Sequence, residues 1–132
     1  MLHRLSTAAL YFVAGALLLA VSAAQALTVK PFTDADFAAA QKAGGSVAIH
    51  FRADWCPTCR AQDKAIGTLK DDPALNKVTL LLADYDKEKA LQKTMNVQAQ
   101  STIVVFKGKK EMAREGGTTD AAELKTLLKS SL

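Results

Sequence analysis

Ala53-Asp54-Trp55-Cys56-Pro57-Thr58-Cys59-Arg60 joins the end of an apolar run to the start of a segment with helical spacing. The run before it, Ser46 to Arg52, centres on Val47-Ala48-Ile49-His50-Phe51 and reads as a buried central strand. The segment after it reads as a helix from Pro57 to Leu69, stopped by Asp71-Asp72-Pro73. Cys56 then stands at a helix N-terminus, where unpaired backbone N–H groups and the helix dipole favour an anion. A thiolate is stabilised there, so its pKa is expected below that of a free thiol. Pro57 takes the first helical position, where a missing N–H costs nothing and φ is already helical. Cys59 follows one turn on, on the same face, so the two sulfurs can meet. A bridge closing so short a loop removes little entropy from the unfolded chain. The pair therefore reads as reactive: the more exposed thiolate, Cys56, attacks a disulfide, and its partner resolves the mixed disulfide.

Other readings of the pair are weaker. A zinc site needs four ligands, and from Leu27 onward the chain adds only His50 to the two cysteines, so carboxylates would have to complete it. Haem attachment needs a histidine after the second cysteine, where Arg60 stands. An inert structural disulfide fits the strand-to-helix context poorly.

Outward from this centre the chain alternates strands and helices. Leu27 to Phe32 reads as a strand. Thr33-Asp34-Ala35-Asp36 resembles a capping box and opens a helix to about Ala43, with Phe37, Ala40 and Ala43 at helical spacing. Gly44-Gly45 ends it. Val78 to Asp84 is a strongly apolar strand, and Asp86 to Met95 an amphipathic helix with Ala90, Leu91 and Met95 inward. Thr102 to Lys107 is a β-branched strand, turned by Lys107-Gly108-Lys109-Lys110 into an antiparallel edge strand at Glu111 to Glu115. Gly116-Gly117 breaks it, and Thr119 or Asp120 caps a last helix bearing Leu124, Leu127 and Leu128 on one face. The order βαβαβαββα implies an α/β fold, a mixed sheet with helices on both faces, in one domain spanning residues 27–132.

The first 26 residues read differently. His3 and Arg4 form a positive start, Leu5 to Val21 carries no charge, and Ala24-Gln25-Ala26 gives a small-x-small cleavage site. This is the order of a secretory signal peptide, so an exported, periplasmic protein cleaved after Ala26 is expected, with a retained N-terminal anchor as the competing form. Losing Arg4 takes the formal charge from +4 to +3, with acids and bases interleaved. That is too mild and too mixed for a nucleic-acid footprint.

At Phe51-x-Ala53-Asp54-Trp55-Cys56-x-x-Cys59, followed later by Thr102-Ile103-Val104-Val105-Phe106-Lys107-x-Gly, the sequence resembles the thioredoxin superfamily. Ala-Asp-Trp-Cys is similar to the C-terminal thioredoxin domain of the transmembrane thiol:disulfide interchange reductase, and Cys-Pro-Thr-Cys to exported thiol reductases for cytochrome c maturation. The resemblance implies a thioredoxin-like fold, a thiol:disulfide oxidoreductase, Cys56 as attacking thiol and Cys59 as resolving thiol. Protein disulfides are the implied substrates, contacted by Trp55, Pro57, Thr58, Ser101 and Thr102, with Trp55 shielding the active-site face. No cofactor is needed, because the cysteine pair carries the electrons. The reducing direction is expected, since Pro57-Thr58 lacks the histidine that oxidising members place between the cysteines. Electrons would come from a membrane thiol reductase, and a monomer is expected.

Two positions depart from the family pattern. Six residues before Cys56 the family has a buried aspartate, and here stands His50, read either as a proton-transfer group or as a packed core histidine. Before the fourth strand the family has a cis-proline, and here stands Ser101, so the Gln100–Ser101 bond is expected to be trans. The rival functions are a thiol oxidant or isomerase, and a non-enzymatic module holding a soft ion such as Cu(I) with the cysteines, Ser101 and His50.

Overall fold

A computed structural model describes residues 26–132. The expected signal segment, apart from Ala26, lies outside the described residues. The elements follow in the order β1 (Thr28–Pro31), α1 (Asp34–Lys42), β2 (Ser46–Arg52), α2 (Pro57–Thr68), a 3-10 turn (Pro73–Leu75), β3 (Val78–Asp84), α3 (Lys89–Thr94), β4 (Thr102–Lys107), β5 (Lys110–Gly116) and α4 (Ala121–Lys129). The sheet order is β1-β3-β2-β4-β5. β1, β3 and β2 run parallel, while β4 pairs antiparallel with β2 and β5 antiparallel with β4. The expected mixed sheet in a single α/β domain is what forms.

β2 is central because its apolar run can be enclosed on both faces. Ser46 to Phe51 are all buried. Successive side chains of a strand point to opposite faces. Val47, Ile49 and Phe51 join Leu81, Val104 and Phe106 in one core, closed by Phe37 and Ala40 of α1 and Leu91 of α3. Ala48 joins Leu80, Ile103 and Val105 in the other, closed by Ile66 of α2 and Leu124 and Leu128 of α4. His50 and Arg52 share the parity of Ala48, which sets both beneath α2.

Local expectations were met unevenly. Thr33 caps α1 through its hydroxyl, which accepts the Asp36 N–H at 3.0 Å. Ala43, expected inward, is exposed, because it is the C-cap residue and has left the helical stripe. α3 begins at Lys89 rather than Asp86: the Lys87 and Glu88 N–H groups both close onto the Asp84 carbonyl in a turn. Ala90 is consequently exposed, and the buried position falls to Gln92, whose amide donates to the Tyr85 carbonyl. Asp120, not Thr119, caps α4 by accepting the Glu123 N–H at 2.9 Å.

Candidate active site

Cys56 is the N-cap of α2, with extended backbone (φ −84°, ψ 111°) and Pro57 in the first turn. Its sulfur accepts the backbone N–H of Cys59 at 3.1 Å. This is the side-chain cap that Ser or Asp normally provides, made here by sulfur. Cys56 and Cys59 are joined in a disulfide with Cα atoms 5.2 Å apart. The expected difference in exposure is marginal: Cys56 is 1% exposed and Cys59 0%. Both lie against Ala53 and Tyr85 in the oxidised form, so the asymmetry between them comes from the helix terminus rather than from solvent access.

Around the pair, Pro57 is exposed and Thr58 half-buried. Trp55 is 55% exposed, and its indole N–H donates to Asp86 at 2.8 Å. It lines a cleft of about 300 Å³ with Arg52, Asp54, Asp84 and Asp86. Trp55, next to Cys56 in the chain, thus presents an open apolar surface.

Ser101 has φ +62°, left-handed backbone for a residue with a side chain, and the Gln100–Ser101 peptide is trans. That conformation costs about 1–2 kcal/mol. Three hydrogen bonds offset it: the Ser101 N–H donates to the Phe51 carbonyl at 2.8 Å, and its carbonyl accepts from Gly117 N–H at 3.1 Å and Gln62 Nε2 at 3.0 Å. Thr102 is half-buried, and its hydroxyl donates to the Ala99 carbonyl at 2.8 Å.

His50 is fully buried. Its Nε2 lies 2.8 Å from Gln62 Oε1. Its Nδ1 has no hydrogen-bond partner and lies 3.8 Å from Asp63 Oδ1. Burial pushes its pKa below the ordinary 6.5, against the upward pull of the Gln62 bond and the Asp63 charge, with Arg52 pushing down as well. Burial therefore favours the neutral ring. Asp63 is held by the Arg52 guanidinium at 2.9 and 3.0 Å. Among the described residues no group of three or more His, Cys, Asp or Glu side chains could hold a metal ion.

The sequence reading did not single out Gln62, Asp63 or Tyr85. Gln62 was detectable as a polar residue at an apolar helical position, between Cys59 and Ile66 on the buried face of α2. Tyr85 packs on the cysteines and donates its hydroxyl to the Gln98 carbonyl at 3.1 Å, which ties the redox pair to the loop before Ser101.

The profile described as Thioredoxin matches residues 28–130. The chain belongs to the thioredoxin family. The structure of Trxlp from Edwardsiella tarda EIB202 superposes on this thioredoxin with a TM-score of 0.73 at 32% identity, covering 76% of this chain and 98% of that one. The thioredoxin of Chlamydia trachomatis is 31% identical over 86 residues, which are 65% of this chain and 82% of its own. Thioredoxin Asp f 28 of Aspergillus fumigatus is 29% identical over 86 residues, 65% of this chain and 78% of its own. This thioredoxin is therefore a thiol–disulfide oxidoreductase acting on protein disulfides through Cys56 and Cys59.

Proposed function

We propose that this thioredoxin is an exported reductant, which reduces disulfides of other proteins in the periplasm and is recharged by a membrane thiol reductase. The observation that carries the chemistry is the Cys56 sulfur capping α2 and accepting the Cys59 N–H. In the reduced protein that bond and the helix terminus favour a thiolate on Cys56. The Cys56 thiolate attacks a target disulfide, forming a mixed disulfide and expelling one target thiolate. Cys59 gives up its proton, and its thiolate attacks the Cys56 sulfur, expelling the second target thiolate. Two electrons pass to the target, which takes up two protons, and the enzyme is left as its disulfide. On this reading Trp55, Pro57 and Thr58, which flank the cysteines in the chain, and Ser101 and Thr102, which open β4, form the surface on which a monomer receives the target segment.

His50 is the base for the Cys59 proton in this scheme. The ring is neutral at rest and one strand beneath the helix that bears Cys59, so it can take a proton and later return it. Export rests on the charge, length and Ala24-Gln25-Ala26 pattern of the first 26 residues. The reducing direction rests on Pro57-Thr58.

The deciding measurement is the reduction potential of the protein recovered from the extracytoplasmic fraction, with its N-terminus sequenced. A reductant should lie near the thioredoxin value of about −270 mV and begin at Leu27. A value near about −120 mV makes it an oxidant. Retention of Met1 in the membrane removes the soluble periplasmic reading.

A further inference from the structure

Gln62 sits fully buried under α2, and each of its amide atoms has an assigned partner. Its Nε2 donates to two backbone carbonyls, Ser101 O at 3.0 Å and Thr118 O at 3.0 Å. A carbonyl oxygen can only accept, so the amide cannot be flipped without facing its own oxygen to both. Gln62 Oε1 is therefore the atom facing His50 Nε2 at 2.8 Å, and it too can only accept. The hydrogen in that bond belongs to His50. This fixes the neutral imidazole as the Nε2–H tautomer, with its lone pair on Nδ1. That lone pair is buried without a partner and faces Asp63 Oδ1 at 3.8 Å.

An unpartnered basic nitrogen aimed at a carboxylate is unfavourable when empty and favourable when protonated. We propose that Asp63 is a positioning residue of the redox site: with Gln62 holding the Nε2–H tautomer, Asp63 supplies the counter-charge that lets His50 take up a proton on Nδ1. This rests on the role of His50 given above and adds where the proton sits and what holds it. The balance is simple. The neutral Nδ1 accepts one proton, given up by the Cys59 thiol during resolution, and the ring becomes an imidazolium paired with Asp63. That proton is then given up to water, which returns His50 to its neutral form, and the released target thiolate takes its proton from the solvent. Arg52 opposes this, since its guanidinium engages Asp63 at 2.9 Å and repels a charged ring. The groups around His50 are few. α2 contributes Asp63 and Gln62, its own strand contributes Arg52, and the register neighbours Leu82 of β3 and Ile103 of β4 do not titrate.

The test is an NMR titration of the His50 ring nitrogens in the oxidised full-length domain, where neither cysteine titrates. The comparison is between the native protein, Asp63→Asn and Arg52→Gln. Neutral His50 should carry its hydrogen on Nε2 in all three. Asp63→Asn should move the midpoint to lower pH by one unit or more, so that tenfold more acid is needed, and Arg52→Gln should move it to higher pH. Opposite shifts at one ion pair are not produced by a general loss of structure. A neutral ring protonated on Nδ1, two shifts of the same sign, or a His50 that stays neutral in native protein and Arg52→Gln down to acid unfolding overturns the proposal. The titration is read at rest, so its failure is distinct from a failure of the reductase reading, which shows in the potential.

Discussion

The Cys59 N–H points at the Cys56 sulfur, so in the reduced pair negative charge is better placed on Cys56 than on Cys59. Cys59→Ser should therefore accumulate mixed disulfides with target proteins, because attack proceeds and resolution fails; Cys56→Ser should accumulate few. Equal trapping, read on non-reducing gels, would contradict the assignment. Ser101 permits a second prediction at this scale. Restoring the family proline by Ser101→Pro should cost about 3 kcal/mol or more, because proline cannot reach φ +62° and has no N–H for the Phe51 carbonyl. Ser101→Gly should be neutral or gain up to about 1 kcal/mol, since glycine adopts that backbone without a Cβ penalty. Urea unfolding of the two variants measures both. The cysteine pair and the two departures at His50 and Ser101 were legible in the sequence because each is a local fact of residue and spacing. The partners of His50 were not, because Gln62 reaches Ser101 and Thr118 across intervals that only the folded sheet closes.

Among the elements, long periodic segments with caps were read well and short ones badly. α2 matches its expected span to within a residue after the Cys56-Pro57 signal, and α4 is capped by Asp120, one of the two caps expected for it. α3 is six residues long, and its first expected turn is instead spent on hydrogen bonds to Asp84. Its apolar spacing could not show this, because a turn and a helical turn place Tyr85 to Glu88 at nearly the same distances. The cap of α4 can be tested alone. Asp120 Oδ1 accepts the Glu123 N–H at 2.9 Å at an exposed helix end. Asp120→Ala should lower stability by about 1 kcal/mol, and Asp120→Asn by much less, since both Asp and Asn cap well. Calorimetry of the pair separates loss of the cap from loss of charge.

Over the whole molecule, protonation couples to folding in two windows. His50 has a lowered native pKa, chiefly from burial, against 6.5 for the free group. Its contribution to stability is complete above 6.5 and is lost as pH falls toward the native value, because the unfolded chain binds a proton that the native state refuses. His50→Gln should flatten the stability profile between pH 6.5 and the carboxylate range while leaving the lower window intact. That lower window comes from Asp36, Asp72, Asp84 and Glu111, whose values are held down first by hydrogen bonds from Lys30, Lys125, Lys87 and Arg114. Their contribution is present above the free carboxylate values of 3.8 and 4.5 and disappears as pH falls through the native ones. Denaturant unfolding from pH 8 to 3 reads both windows. The sheet order has a further consequence, at its rims. β1 is only four residues long and ends in Pro31, while β5 exposes Lys110, Glu111, Arg114 and Glu115 and is kinked against β4 by a register shift at Val105/Phe106. Short length, proline, charge and irregular pairing are the devices that keep a sheet rim from recruiting foreign strands. A protein that meets other chains while their bridges are open, and their strands are free to pair with whatever rim is offered, is thereby spared from seeding their aggregation on itself.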